Sequence, residues 1–220
     1  MILDWPSVLK VRDHDLRLQS AQVVGTASLT GYAQRGEVPS RRWRYTFSTK
    51  LGDKAHHTAW RAIMARLDGS RHVLRMPIPD PFKPAAPFDY TSGVEMTGDG
   101  VDAGFSDGVG FDAPYYTWTV AVAPTAGQSQ VVTDWDSSGV LIEGNYVTIG
   151  EDLHVVLVVG TTLTVQPPLR RAHPAGTVIT SIPTGLFRLA DPEHPQLMLW
   201  HARVGEATLE LVEAWEDADA

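Results

Sequence analysis

The chain of 220 residues contains no cysteine. That excludes a disulfide framework, a thiolate metal site and a cysteine nucleophile, but it leaves the compartment open. Long hydrophobic runs are also missing: VVLVVG at 155–160 is far too short to cross a bilayer as a helix. The opening MILDWPSVLKV has no basic region ahead of an apolar core. The expectation is a soluble chain with no membrane insertion that enters no secretion pathway by itself. Neither a Gly-x-Ser-x-Gly elbow, an HExxH helix, a phosphate-binding loop nor a dinucleotide fingerprint occurs, so the corresponding hydrolytic and nucleotide chemistries lack specific support. Basic residues are in deficit, and a net charge of −8 does not suggest nucleic-acid recognition.

What the sequence does have is alternation. LRLQSAQVVGTASLTG at 16–31 shows it patchily, whereas RRWRYTFST at 41–49 sets Trp43, Tyr45 and Phe47 against Arg42, Arg44 and Thr46. Both read as strands. The arginine face of the second, Arg41, Arg42 and Arg44, is either solvated or meets an acidic partner. One helix is expected over 54–68: Trp60, Ile63, Met64 and Leu67 follow the i, i+3, i+4, i+7 pattern, with Asp53 to cap its start and Gly69 to end it. Its apolar stripe needs a sheet to lie on.

Val73 to Ile78 reads as a further strand, after which prolines at 77, 79, 81, 84 and 87 forbid regular ladder pairing. A Gly/Asp-rich stretch, TSGVEMTGDGVDAGFSDGVGF, indicates turns or a mobile loop. Alternation resumes at YYTWTVAVA and continues through SGVLIEGNYVTIGEDLHVVLVVGTTLTVQPP and GTVITSIP, four or five short strands suited to a small antiparallel barrel or sandwich. Strands are also expected near 185–189, 197–203 and 206–215, the last in preference to a helix. The fold class is therefore mainly β: an antiparallel β-sandwich or split barrel with one covering α-helix, plus a small inserted β-barrel-like module. In this organisation 1–91 and 182–220 form an outer domain interrupted by a module at 92–181, because insertion is tolerated at exposed connections.

Charge is divided along the chain. Residues 1–75 carry 13 Lys+Arg against 6 Asp+Glu and residues 76–220 carry 5 against 20, giving +7 and −15. Opposite poles on one chain favour head-to-tail or face-to-face contact between copies, or mark an uneven surface without a partner.

No constellation of reactive residues stands out. His56 and His57 are adjacent on a helix and so diverge by about 100°, with no carboxylate–histidine set to complete a metal site. His154 and His173 read as surface residues of a strand and a turn. Asp99, Asp102, Asp107 and Asp112 could gather around calcium, but the EF-hand order of ligands is absent and turn chemistry explains the same residues. Chance pairs of carboxylates leave glycosidase chemistry arithmetically open and nothing more. Tyr115, Tyr116, Trp118 and Trp135 could form a sugar-binding face or be ordinary cross-strand and core packing. In LTVQPPLRRAHPAG, at 163–176, Arg170 and Arg171 end a strand; either they are solvated at a turn or at least one pairs with acidic surface, on the same or a neighbouring subunit. Arg170, directly after the strand, is the better placed for such a contact.

With these segments laid out, the chain resembles bacteriophage distal tail or minor tail proteins of long non-contractile tails. The likeness is one of overall pattern: WRAIMARLDG followed by RHVLRMP, then GVLIEGNYVTIGEDLHVV and LTVQPPLRRAHPAGTVI, then TGLFRLAD. The proline-rich connection at 77–90 and the stretch from Gly205 to Trp215 depart from it. The resemblance implies a non-enzymatic structural protein without cofactor or metal, a homo-oligomeric ring, sixfold, that joins the tail tube protein to a tail tip, hub or baseplate protein. It would be made in the host cytoplasm and built into the virion. The alternative is a carbohydrate-binding β module that contacts the host surface.

Overall fold

The structure is a computed structural model of the chain. It describes residues 1–19, 41–80, 117–134, 140–191 and 205–214 with their side chains, and the backbone alone of 22–24, 35–37, 88–89, 94–96, 102–103, 196–200 and 204. In chain order the elements are β1 (Ile2–Asp4), β2 (Val11–Gln19), β3 (Gln22–Val24), β4 (Arg35–Glu37), β5 (Arg42–Leu51), α1 (Lys54–Leu67) and β6 (Val73–Pro77). Short strands β7 (Phe88–Asp89), β8 (Val94–Met96) and β9 (Asp102–Ala103) follow. Next come β10 (Thr117–Thr119), β11 (Gln130–Val132), β12 (Tyr146–Ile149), β13 (Asp152–Val158), β14 (Thr162–Gln166) and β15 (Val178–Thr180). The chain ends with β16 (Thr184–Leu189), β17 (Gln196–Trp200) and β18 (Val204–Glu213).

Two compact units result, one made of Met1–Arg75 with Phe187–Ala220 and one of Met76–Leu186. The divisions fall at 75/76 and 186/187, not at the 91/92 and 181/182 that proline punctuation suggested. The physical reason is that Met76 and Ile78 are buried and Ile78 N–H donates to Pro183 O at 2.9 Å. The chain thus leaves the larger sheet along β6 and returns along its neighbour β16. The prolines beyond 80 and the Gly/Asp stretch lie outside the described residues, apart from the backbone of β7, β8 and β9.

The outer unit is built on a seven-stranded sheet in the order β1-β6-β16-β18-β5-β2, with β17 also on β18. It is mixed, because β1 runs parallel to β6. The alternation of β5 puts Trp43, Tyr45 and Phe47 in the core, and Trp5 meets Phe47 edge-on at 5.1 Å and Trp60 of α1 at 6.4 Å. Asp53 caps α1 by accepting from His56 N–H at 2.9 Å, and Asp68, at φ 46, ends it in the left-handed conformation one residue before Gly69. Trp60, Ile63 and Leu67 are buried, while Met64 is half-buried at the margin of the stripe. Leu67 is fully enclosed, so Leu67→Ala is expected to destabilise the outer unit by about 2–5 kcal/mol in urea denaturation. An unchanged midpoint would contradict the packing.

Tyr45 adds an opposite prediction. Its ring stacks on Phe47 at 5.2 Å and leans on Phe187 at 5.7 Å, and its buried hydroxyl finds no hydrogen-bond partner among the described residues. Burial pushes the phenol pKa up. Tyr45→Phe removes a desolvated donor and keeps the ring, so denaturation should show stability raised by roughly 1 kcal/mol; a loss would point to a partner for the hydroxyl.

β18 explains where the charge division goes. It pairs antiparallel with β5 along its length, Arg44 meets Glu210 at 2.9 Å, and Glu213 accepts from Trp43 N–H at 3.0 Å. The acidic C-terminal strand therefore lies against the basic N-terminal one within a single sheet. Counted by folded unit, the outer unit carries 15 Lys+Arg and 14 Asp+Glu, a net +1, and the inserted unit carries 3 and 12, a net −9. The basic pole thus cancels inside the outer unit, whereas most of the acidic one stays on the inserted unit.

The inserted unit is a six-stranded sheet, β10-β15-β12-β13-β14-β11. Its two end strands are drawn together by the Val120–Thr133 bridge. Ala121 N–H donates to Val132 O at 2.8 Å and Asp134 N–H to Thr119 O at 3.0 Å, and Asp134 in turn accepts from Thr119 N–H and Oγ1. Curling the sheet in this way leaves neither end strand open. Trp118, Val131, Val147, Val156, Leu163 and Ile179 fill its core.

Candidate functional site

The densest polar cluster among the described residues is inside the inserted unit. Alternation along β13 turns Asp152, His154 and Val156 to one face, opposite Ile149 and Val147 of β12 in the register. That face is the core side, so a carboxylate and an imidazole are carried inward by the same periodicity that buries Val156. Both are compensated from the segment joining β14 to β15. Arg171 grips Asp152 with two hydrogen bonds, Nε to Oδ2 at 2.9 Å and Nη2 to Oδ1 at 2.5 Å. His173 Nε2 stands 3.5 Å from Asp152 Oδ2, at the outer limit of a hydrogen bond. His154 Nδ1 is 2.8 Å from Pro167 O; a carbonyl can only accept, so Nδ1 carries the proton and, in the neutral ring, Nε2 holds a buried lone pair. Gly150, in the β12–β13 turn at φ 62, leaves room for this packing, since a Cβ there would lie 3.4 Å from the His173 ring.

The Asp152 side chain is 3% exposed and that of Arg171 is 20% exposed, so the pair is largely desolvated. Burial pushes the Asp152 carboxyl up, but the contacts from His173 and Arg171 outweigh it and hold its pKa at about 2. Burial pushes His154 down to about 4, partly offset by the Asp152 charge and the Pro167 carbonyl, with His173 and Arg170 adding to the lowering. At neutral pH the cluster is thus an ionised carboxylate on a guanidinium beside a neutral imidazole.

No family model matches this chain, and no curated protein matches it.

Arg171 makes the bidentate contact with Asp152, next to Leu169, whose side chain is buried in the core, and Arg170 has interactions of its own. Arg170 is half-buried, close enough to His154 to disfavour its protonation. His154 and His173, expected at the surface, are 0% and 4% exposed. Trp118 is 2% exposed and belongs to the core, so it offers no face to a sugar, and Tyr115, Tyr116 and Trp135 lie outside the described residues. Of the strand arginines, Arg44 takes Glu210 across the sheet, and Arg41 and Arg42 are half-buried with interactions of their own. His56 closes the first helical turn, its Nδ1 3.3 Å from Gly52 N and 3.1 Å from Asp53 Oδ1. Of the acidic loop, only Asp102 is described, in β9 and as backbone. Among the described residues no three His, Asp or Glu side chains converge on a point where a metal ion could sit.

Asp152 is the residue that sequence reasoning passed over. A signal existed: in DLHVV the even positions share a face with Val156, so an inward Asp and His need partners. Nothing local to β13 names those partners.

Proposed function

We propose that this chain is a non-enzymatic structural component of a phage tail, a subunit of a sixfold ring that joins the tail tube to the tail tip or baseplate. The observation that carries this reading is the build of the chain: a helix-backed sheet interrupted between β6 and β16 by a small curled β unit. The segments that resemble distal tail proteins coincide with that build. WRAIMARLDG is the latter part of α1 and its left-handed turn, RHVLRMP contains β6, GVLIEGNYVTIGEDLHVV contains β12 and the start of β13, and TGLFRLAD contains β16.

The chemistry of the polar cluster fits a structural role. Asp152 has both oxygens on Arg171, and His154 spends its Nδ1 proton on Pro167. These bonds hold one stretch of chain against another, which is what a rigid ring subunit needs. The basic pole lends the ring no added support, since the outer unit that holds it comes to a net +1, while the inserted unit keeps a net −9. A ring also requires two unlike complementary surfaces on each subunit, and its other partners would be the tube protein and a tip or hub protein.

The reading is tested by decorating tail-bearing particles from the source virus with an antibody raised against the inserted unit. Label at one end of the tail supports it. Label on the capsid, along the whole tail, or absent from particles that contain every other tail protein would overturn it.

A further inference from the structure

We propose that residues 167–177, which cross from β14 to β15, form a strap latched to β13 by His154 and Asp152 and released by acid. This inference stands on the geometry of the inserted unit and does not depend on the tail reading. The strap makes three polar contacts with one strand: Pro167 O with His154, and Arg171 and His173 with Asp152. Its other anchors are backbone bonds to the segment 120–128. Leu169 N–H donates to Gln128 O at 2.8 Å, His173 N–H to Pro124 O at 3.3 Å and Gly176 N–H to Val120 O at 2.8 Å, and in return Gly127 N–H donates to Leu169 O at 2.8 Å and Val120 N–H to Thr177 O at 2.9 Å. Pro167 and Leu169 are the strap's buried apolar residues. The strap is thus held by five backbone hydrogen bonds to one segment and by side-chain contacts to β13 that involve the titratable groups His154, Asp152 and His173, while β12 and β13 are held by a ladder and an apolar core.

His154 is the trigger because its second proton has nowhere to go. Nδ1 already donates to Pro167, Nε2 is buried with no hydrogen-bond partner among the described residues, and the facing position on β12 is Val147. Among the described residues the charged and titratable groups acting on it are Asp152 on its own strand and Arg170 and His173 on the strap, with Arg171 held on Asp152. Only Asp152 would welcome an imidazolium, and Arg171 already neutralises it. Protonation therefore favours whichever state lets His154 reach water, and the cheapest is the strap lifted off. The latched imidazole titrates at about 4 and a released one near 6.5. The closed state is therefore fully favoured above about pH 6.5 and loses ground as pH falls towards about 4. Asp152, held at about 2, still pairs with Arg171 over that window, so His154 dominates the linkage. The open population should rise on the order of a hundredfold between pH 7 and pH 4.

The test is hydrogen exchange on the full chain at both pH values, corrected for intrinsic exchange and read at the amides of Leu169, His173 and Gly176 against those of β12 and β13. Expected is a loss of protection on the order of a hundredfold in the strap, with the β12–β13 amides losing much less. His154→Asn keeps a donor for Pro167 O but cannot be protonated, and its strap should stay protected at pH 4. If that variant does not fold, the His154 ring resonances of the unaltered chain are followed by NMR, and they must titrate together with strap release. Release of the strap in step with every strand of the unit, an equally acid-sensitive H154N strap, or a His154 titration separate from release would each overturn the proposal.

Discussion

Replacing Arg171 with alanine is expected to destabilise the inserted unit by about 3–5 kcal/mol, the cost of leaving a buried carboxylate without its cation. Asp152 is buried and has its two strongest hydrogen bonds from this one guanidinium, so no water replaces them. Arg171→Lys should recover only part of the loss, because an ammonium cannot reproduce the planar two-point grip. The double variant Asp152→Asn with Arg171→Met should cost less than R171A alone, since it removes the buried charge along with its partner. These differences are read from urea denaturation at pH 7. An R171A protein that melts like the parent would show that the pair is not desolvated in solution.

The second large effect is at Trp118. The indole sits in the core opposite Ile179 of β15, and Trp118→Ala should cost about 3–5 kcal/mol in the same measurement. A sugar-platform tryptophan would behave in the reverse way, with stability kept and glycan binding lost. A W118A protein of parental stability that no longer bound a host glycan would reinstate the carbohydrate reading.

The features legible in the sequence are those set by local period. Trp43, Tyr45 and Phe47 alternate into the core as the pattern of 41–49 requires, and Trp60, Ile63 and Leu67 line the buried stripe of α1. LELVEAW, which resembles a helix in composition, is part of β18 up to Glu213, because Leu209 and Leu211 alternate into the core while Glu210 reaches Arg44 across the sheet. What was not legible depends on segments far apart in the chain. The +7 half looks like a basic pole until β18 is seen beside β5, over 150 positions away in sequence, and the acidic excess that remains is the −9 of the inserted unit. His154 and His173 read as surface residues because a histidine's burial is decided by its partners, and Pro167, Arg171 and Asp152 meet only when the strap folds back. The unit boundary was displaced for a similar reason: prolines mark where ladder pairing stops, whereas the units divide within β6 and β16, two strands that lie side by side.

The central claim, a ring at the junction of tube and tip, is tested most directly by electron cryomicroscopy of assembled particles. The account predicts density for this chain as an axial sixfold ring directly below the last tube ring. Density for the chain in the capsid, or in the tail but away from the tube-to-tip junction, would contradict it.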